Sequence, residues 1–338
     1  MKRALELALK GLGHVAPNPM VGCVIVCNDK IIAEGFHEQY GSAHAEPNAI
    51  KKVSDEILKE STLYVTLEPC SHFGKTPPCA DLIISKGIKK VVVGNLDTNP
   101  LVSGKGIQKL KDAGIEVEYG ILDNECRTLN KRFFTFHEKK RPYVILKWAQ
   151  TQDGFISRWP LLEIKEDNWI TGKESKTLVH QWRSHEQAIL IGYNTLINDN
   201  PLLTTRLANG KNPIRLVLSR TIDLQTDLNI FNLDSKTIIF NPLKDEINNN
   251  VEFVKIDWNN KVQRVLDYCF TNNISSIIVE GGTNTICNFM NINAWDEAQV
   301  FINPTKKFEQ GIFAPDINLT NISPIHIGND FLYTLLNT

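Results

Sequence analysis

His44-Ala45-Glu46, answered by Pro69-Cys70 and then by Cys79, is the stretch on which the reading of this chain turns. One histidine and two cysteines are ligands of the kind that hold zinc and leave its fourth position to water. The metal lowers that water's pKa, so hydroxide is available near neutral pH. Glu46 follows the histidine by two residues and stands apart from the ligands, placed to carry the proton from water to a leaving amine. His44, Cys70 and Cys79 are thus candidate zinc ligands, and Glu46 is the candidate catalytic proton carrier. The zinc-deaminase pattern brings its cysteines in as Cys-x-x-Cys; here Ser-His-Phe-Gly-Lys-Thr-Pro-Pro, residues 71–78, lies between them. A closed structural zinc site would need a fourth ligand, for which His37 and His72 are the candidates.

The surrounding sequence alternates strands and helices. Leu5, Ala8, Leu9 and Leu12 recur at helical spacing over residues 3–12, and Gly11 and Gly13 can end that helix. Residues 21–26 and 30–34 read as a hairpin turning at Asn28-Asp29. A helix over 46–53, a strand over 62–66, a helix from Cys79 to 86, a strand at 91–93, a helix over 105–113 closed by Gly114, and a strand over 115–119 follow. The alternation predicts a three-layer α/β domain. Ser71, His72 and Lys75 lie in the loop between the cysteines, where Lys75 can meet a phosphate. Asn18, in the loop Ala16-Pro17-Asn18-Pro19, can lay its amide against a base edge; a turn-forming asparagine reads equally well.

The chain's 338 residues suffice for two domains. An apolar content of 42% with 22% charged residues fits a soluble globular protein. A formal net charge of −1 supplies no global field for a nucleic-acid backbone. No apolar run approaches the roughly 20 residues that span a bilayer. The N-terminus runs directly into an amphipathic helix rather than a secretory core. Seven cysteines, two of them assigned to metal, argue for a cytoplasmic location. Neither nucleic acid nor membrane is the partner these figures favour, although a local basic patch stays open.

The second half begins after a helix over 123–137 and the charged connector Glu138-Lys-Lys-Arg-Pro142, giving expected domains 1–139 and 140–338. Residues 143–149 form a buried strand in which Lys147 is unusual, because an unpaired buried ammonium is costly; it either pairs or extends its charge to water. A helix over 173–184 places Arg183 at its end, where a cation suits the helix dipole. After a strand over 188–192, Asp199, Leu203 and Arg206 can frame one mouth of a pocket. A strand over 214–218 ends in Ser219-Arg220, a pair able to receive the extra phosphate of NADPH, although a turn accounts for it more readily. Residues 276–290 read as an apolar strand, a Gly-Gly turn and a helix whose first amides can cradle a pyrophosphate. This is not the GxGxxG dinucleotide fingerprint.

Pro17-Asn-Pro-Met-Val-Gly22, His44-Ala-Glu46 and Glu68-Pro-Cys-Ser-His-Phe-Gly-Lys-Thr-Pro-Pro-Cys79 together resemble the bifunctional deaminase–reductases of riboflavin biosynthesis. The lengthened cysteine loop is itself a mark of that family. In the second half the resemblance is carried by Lys147-x-Ala149 with Asp153-Gly154, Trp169-Ile-Thr171, Asp199-x-Pro201-Leu-Leu-Thr204 with Arg206, and Glu280-Gly-Gly282. It implies a cytidine-deaminase-like three-layer α/β/α domain followed by a dihydrofolate-reductase-like α/β domain. It implies zinc-dependent deamination of 2,5-diamino-6-ribosylamino-pyrimidinone 5′-phosphate, then NADPH reduction of the ribosyl group to ribityl. Asn18, His72 and Lys75 would contact the first substrate. Ala149, Trp169, Thr195, Asp199, Ser219 and the turn Gly282, Thr283, Asn284, Thr285, Ile286, Cys287, Asn288 would touch NADPH. Arg183, Leu203, Arg206 and Glu280 would hold the second substrate, with Asp167 at the position of a substrate-contacting serine. The link at 158–168 is longer than the family's, and Gln152 replaces an apolar residue. The resemblance also suggests a homodimer or homotetramer.

Two other readings compete. A zinc deaminase of nucleic acid, with an accessory second domain, predicts a basic, aromatic approach to the metal, and no Arg/Lys-rich run flanks His44. A non-catalytic zinc-stapled scaffold predicts that Glu46 is dispensable.

Overall fold

The computed structural model describes residues 1–73, 77–99, 103–163 and 168–337. The chain divides into two compact units, Met1–Lys140 and Arg141–Thr338.

The first unit runs α1 (Lys2–Leu9), β1 (Gly22–Cys27), β2 (Lys30–Phe36), α2 (Ala45–Ile50), α3 (Asp55–Leu58), β3 (Thr62–Leu67), α4 (Cys79–Ser85), β4 (Lys90–Asn95), α5 (Lys105–Asp112), β5 (Glu116–Tyr119), α6 (Asp123–Leu129) and α7 (Lys131–Lys139). Its five strands lie in the order β2-β1-β3-β4-β5. The β1–β2 hairpin turns through Asn28 and Asp29, both at positive φ (49° and 59°), the conformation a two-residue hairpin loop requires. Beyond that antiparallel edge β3, β4 and β5 are parallel. Parallel strands are buried on both faces, and Leu63, Val65, Val91 and Val93 accordingly share one core with Ala45, Ala49 and Ile83 of the covering helices. That core seats the N-termini of α2 and α4, where His44-Ala45-Glu46 and Cys79 lie.

The single helix expected over 123–137 is two helices. The break falls at Asn130, whose side chain accepts from the Met20 amide at 2.8 Å and donates to the Met20 carbonyl at 2.9 Å. A buried amide that bonds a distant strand-like segment on both edges competes with helix continuation.

The second unit runs β6 (Tyr143–Thr151), β7 (Phe155–Arg158), α8 (Lys173–His185), β8 (Ala188–Gly192), α9 (Tyr193–Asp199), β9 (Ile214–Leu218), β10 (Thr237–Asn241), β11 (Glu246–Asn248), β12 (Val251–Lys255), α10 (Lys261–Thr271), β13 (Ser276–Val279), α11 (Thr283–Asn291), β14 (Glu297–Asn303), β15 (Gly311–Phe313), β16 (Ile325–Ile327) and β17 (Asp330–Leu336). Ten strands form one sheet in the order β11-β12-β10-β9-β8-β13-β6-β14-β17-β16, and β15 pairs with β7. From β12 to β14 the pairings are parallel. The chain winds outward from β8 to β12, then returns to insert β13 between β8 and β6. The winding direction reverses there, and the carboxyl ends of strands at such a reversal form a crevice. Gly192 closes β8 and Glu280 follows β13, while Lys147 lies on β6 one residue beyond its last pairing with β13.

Candidate active sites

In the first unit, His44 caps α2 and Cys79 opens α4. His44 Nδ1 lies 3.6 Å from Cys70 Sγ and 3.3 Å from Cys79 Sγ. The three ligand atoms lie within 4.8 Å of one another. One ion bound at about 2.0 Å from nitrogen and 2.3 Å from sulfur spans that spacing. The Cys79 amide donates to Cys70 Sγ at 3.3 Å. Hydrogen bonding from Cys79, and then from His44, holds the Cys70 thiol below the ordinary thiol range, which favours the ligating thiolate. The donor set and spacing therefore fit zinc.

Glu46 sits in the first turn of α2 and is only 3% exposed. Burial pushes its carboxyl up to about 7. No fourth ligand joins the cluster among the described residues. His37 has both ring nitrogens engaged: Nδ1 with the Ala43 carbonyl at 3.1 Å and Nε2 with the Asn18 amide nitrogen at 3.3 Å. Its ring lies edge-on to His44, with centroids 5.4 Å apart. Asn18 closes a turn, its main-chain amide donating to the Val15 carbonyl at 2.9 Å, while its side chain is anchored beside the cluster through a histidine that sequence reasoning considered only as a metal ligand. His72 is exposed and outside the cluster. Lys75 lies outside the described residues.

Glu68 is a further residue whose role the motif alone did not reveal. Its buried carboxylate accepts from the amides of Asp97, Gly104, Gly106 and Ile107 at 3.1, 2.9, 2.8 and 3.2 Å. It thereby ties the start of α5 to the turn that presents Cys70.

In the second unit, Glu280 is the centre of the crevice. Arg183 grips it bidentately, Nε to Oε1 at 2.9 Å and Nη2 to Oε2 at 2.7 Å. Lys147 Nζ reaches Oε2 at 3.0 Å, so the buried ammonium is paired. Burial pushes the Glu280 carboxyl up, but Arg183 and Lys147 outweigh it and hold it at about 2. Arg183 also donates to the Thr204 carbonyl at 3.3 Å, bringing the Leu203–Arg206 segment to the same place. Arg206 is exposed. The Leu203 side chain is 2% exposed and packs with Ile189, Leu196 and Ile230, so only its main chain is available to a ligand.

Across the strand ends, Thr195 Oγ1 accepts from the Gly282 amide at 3.0 Å, joining the start of α9 to the turn before α11. A Cβ at Gly281 would lie 2.5 Å from the Gly192 nitrogen, so the two strand ends meet only because that position is glycine. Thr283, Asn284, Cys287 and Asn288 are at least partly accessible at or just beyond the helix start, whereas Thr285 and Ile286 are buried. This cradle of glycine and helix-start amides fits a phosphate-bearing cofactor. Ala149 is half-buried at the end of β6, and Asp199 is exposed at the end of α9. The Trp169 ring is half-exposed beneath the Lys176 ammonium. Ser219 departs from its expected part. It is fully buried, and its hydroxyl donates to the Thr221 carbonyl at 2.6 Å, so that proton is not offered to a phosphate. Asp167 lies outside the described residues.

A three-His/Cys-ligand site beside a buried glutamate on a mixed five-stranded sheet, followed by a doubly wound reductase-type sheet, defines a two-domain deaminase–reductase. Residues 1–95 match the cytidine and deoxycytidylate deaminase zinc-binding region, and residues 142–306 match the RibD C-terminal domain. The riboflavin biosynthesis protein RibD of Aquifex aeolicus is 40% identical, over 95% of this chain and 90% of its own length. That of Synechocystis is 37% identical, over 99% and 94%. The crystal structure of the Thermotoga maritima diaminohydroxyphosphoribosylaminopyrimidine deaminase/5-amino-6-(5-phosphoribosylamino)uracil reductase is 38% identical, covers 100% of this chain and 97% of that one, and superposes with a TM-score of 0.88. Acinetobacter baumannii RibD gives 32% identity and a TM-score of 0.87 over the same shares. The chain belongs to the RibD family of riboflavin-biosynthesis enzymes. It is a bifunctional deaminase and reductase that uses zinc and NADPH. The match of the second unit to a reductase domain disfavours the reading of it as an accessory to a nucleic-acid deaminase. No helix among the described residues is long and apolar enough to cross a membrane.

Proposed function

We propose that the first unit deaminates 2,5-diamino-6-ribosylamino-pyrimidinone 5′-phosphate at the His44–Cys70–Cys79 centre. The second unit then reduces the ribosyl group of the resulting 5-amino-6-ribosylamino-uracil phosphate to ribityl. The observation that carries the reading is the convergence of His44, Cys70 and Cys79 around a position that buried Glu46 adjoins. His44, Cys70 and Cys79 would hold zinc, which would supply Lewis acidity toward water. Glu46 would carry the proton to the departing amine. Its burial keeps solvent from competing for that proton. Asn18, oriented by His37, holds the pyrimidine edge, and His72 with Lys75 meets the more polar end of the substrate.

In the second unit NADPH supplies the hydride. The protein orients and places charge. Gly282 to Asn288 and Thr195 hold the cofactor's phosphates, and Ala149, Trp169 and Asp199 line its path. Ser219 contributes through its main chain. Glu280, Arg183, Arg206 and the Leu203 main chain hold the substrate, and Asp167 belongs to the same set by its place in the sequence. Lys147 and Arg183 on one carboxylate leave an excess of positive charge, to which Arg206 beside Arg183 adds, and that excess suits a phosphorylated substrate.

Seven cysteines, none in a disulfide and two of them zinc ligands, agree with action in the cytoplasm. A homodimer or homotetramer belongs to the same reading, and sedimentation of the zinc-loaded chain tests it. The deciding experiment is product mass from the purified chain given the phosphoribosyl-diaminopyrimidinone, with and without NADPH. Exchange of amine for oxygen without NADPH, and two further hydrogens with it, is the expected result. No mass change with zinc bound would overturn the substrate assignment.

A further inference from the structure

Trp169, Ile170 and Thr171 lead into α8 without forming helix or strand themselves, yet side chains from the far end of the sequence hold their main chain. Lys306 Nζ donates to the Trp169 carbonyl. Asn303 Nδ2 donates to the Ile170 carbonyl at 2.8 Å. The Gly172 amide donates to Asp330 Oδ2 at 2.9 Å. Asn303 and Asp330 are joined in turn, Nδ2 to Oδ1 at 3.2 Å.

Helix capping accounts for Asp330 taken alone. It is 1% exposed on β17, and its Oδ2 also accepts from the Ser175 hydroxyl at 2.6 Å. Gly172, the residue that caps α8, has no side chain to close the helix start, and the carboxylate takes that part. Capping does not account for Asn303. Its Oδ1 accepts from the amides of Thr305 and Lys306 at 3.1 and 2.9 Å, a task an aspartate performs equally well. What only the amide adds is the donor, and the shorter of its two bonds goes to Ile170, which lies before the helix. The Ile170 side chain is buried with Phe155 and Phe308, and Ala149 packs on the same cluster. The Trp169 ring is left half-exposed. Trp169 and Ala149, the two residues read as lining the cofactor's path, therefore border one anchored main-chain segment.

We propose that Asn303 and Asp330 are positioning residues of the reductase half, fixing the Trp169–Gly172 main chain so that the Trp169 ring is presented to NADPH. The inference rests on the reading of Trp169 as a cofactor contact. Asn303 and Asp330 act through that segment and do not themselves touch the cofactor. Ordering the segment before NADPH arrives removes a cost from binding.

The test is calorimetric titration of the full, zinc-loaded chain with NADPH, beside reductase kinetics with NADPH and the deaminated substrate varied separately. The exchanged pair N303D/D330N keeps an acceptor for the Thr305 and Lys306 amides, an acceptor for α8 and a bond between the two side chains. It removes the donor to the Ile170 carbonyl. Its Kd and KM for NADPH should rise about tenfold, the upper worth of one directed hydrogen bond. Its substrate KM and deaminase turnover should match those of the unaltered chain. N303D alone sets two carboxylates together and should melt at a lower temperature. Adding D330N should recover the melting temperature and leave NADPH binding weak, whereas a merely structural role would recover both. A folded exchanged pair with unaltered NADPH Kd, or an equal rise in both KM values, would overturn the proposal. Should the exchanged pair fail to fold, N303A decides: a raised NADPH Kd with unaltered substrate KM supports the proposal, and an unaltered Kd sinks it. W169A is the control. If W169A leaves the NADPH Kd unchanged, the reading of Trp169 as a cofactor contact fails. If W169A raises it and the Asn303 variants do not, only the positioning proposal fails.

Discussion

Glu280 receives both arms of Arg183, at 2.9 and 2.7 Å, while Lys147 shares one of the same oxygens at 3.0 Å. The three side chains are 7%, 12% and 15% exposed. One carboxylate thus neutralises part of a buried double cation. Glu280→Gln leaves both cations without a counter-charge. Removing one partner of a buried pair costs about 3–5 kcal/mol. The second unit should lose stability by that order, and reductase activity should fall sharply while the deaminase on the same chain continues. Parallel assays of the two activities, with thermal melting, check this. An E280Q chain with unaltered reductase kinetics would show that the triad is not part of the site.

The same carboxylate sets a pH dependence. Its folded pKa, about 2, lies below its unfolded value. A depressed acid stabilises the fold above the unfolded pKa, near 4.3, and that stabilisation is lost as pH falls toward 2. The two values differ by an amount equivalent to about 3 kcal/mol. All six tryptophans lie in Arg141–Thr338, so tryptophan fluorescence reports this unit alone. Denaturant titrations from pH 6 to pH 2 should show stability falling across the lower part of that range. In E280Q that loss should be smaller.

The residues of the metal centre were legible in sequence because ligand chemistry restricts them to a few types at readable spacing. Strand and helix alternation likewise gave both α/β layers. What sequence did not give lies in contacts distant along the chain. The break at Asn130 depends on Met20, 110 positions away. Lys147 looked anomalous in an apolar strand, and its partner lies on a different strand's end. Residues 237–241 and 251–255 add two strands to the sheet with no motif to announce them. Ser219 carried a phosphate-binding expectation from its position at a strand end, yet its hydroxyl turns inward to Thr221. Strand position fixes a residue's location, and side-chain direction there depends on the next turn.

Glu46→Gln separates catalysis from metal binding. The glutamate is buried beside the ligands but is not one of them. The variant should keep its zinc and lose deaminase turnover by about 10²–10⁴-fold, the usual worth of a positioned proton carrier. Cys79→Ser should lose zinc as well as activity. Chelation of the unaltered chain should abolish deamination while NADPH-dependent reduction of the already deaminated substrate persists. Zinc analysis beside both assays decides it. An active E46Q would return the scaffold reading to the front.

Gly106→Ala tests how far the metal centre depends on the helix behind it. A Cβ at Gly106 would lie 2.0 Å from the Pro69 carbonyl oxygen and 3.1 Å from Glu68 Oε1. Backbone atoms cannot yield that distance by a rotamer change. The start of α5 must therefore retreat, and with it go the amides of Gly106 and Ile107 that Glu68 accepts at 2.8 and 3.2 Å. Pro69 immediately precedes Cys70, so the disturbance reaches a ligand through one peptide bond. Loss of such outer support lowers metal affinity by roughly 10–100-fold. Competition with a chromophoric chelator should show that loss in G106A, and excess zinc should restore deaminase activity. Reductase activity, in the other unit, should not change. Unaltered zinc affinity would show that Glu68 and α5 brace the fold without bracing the ligand.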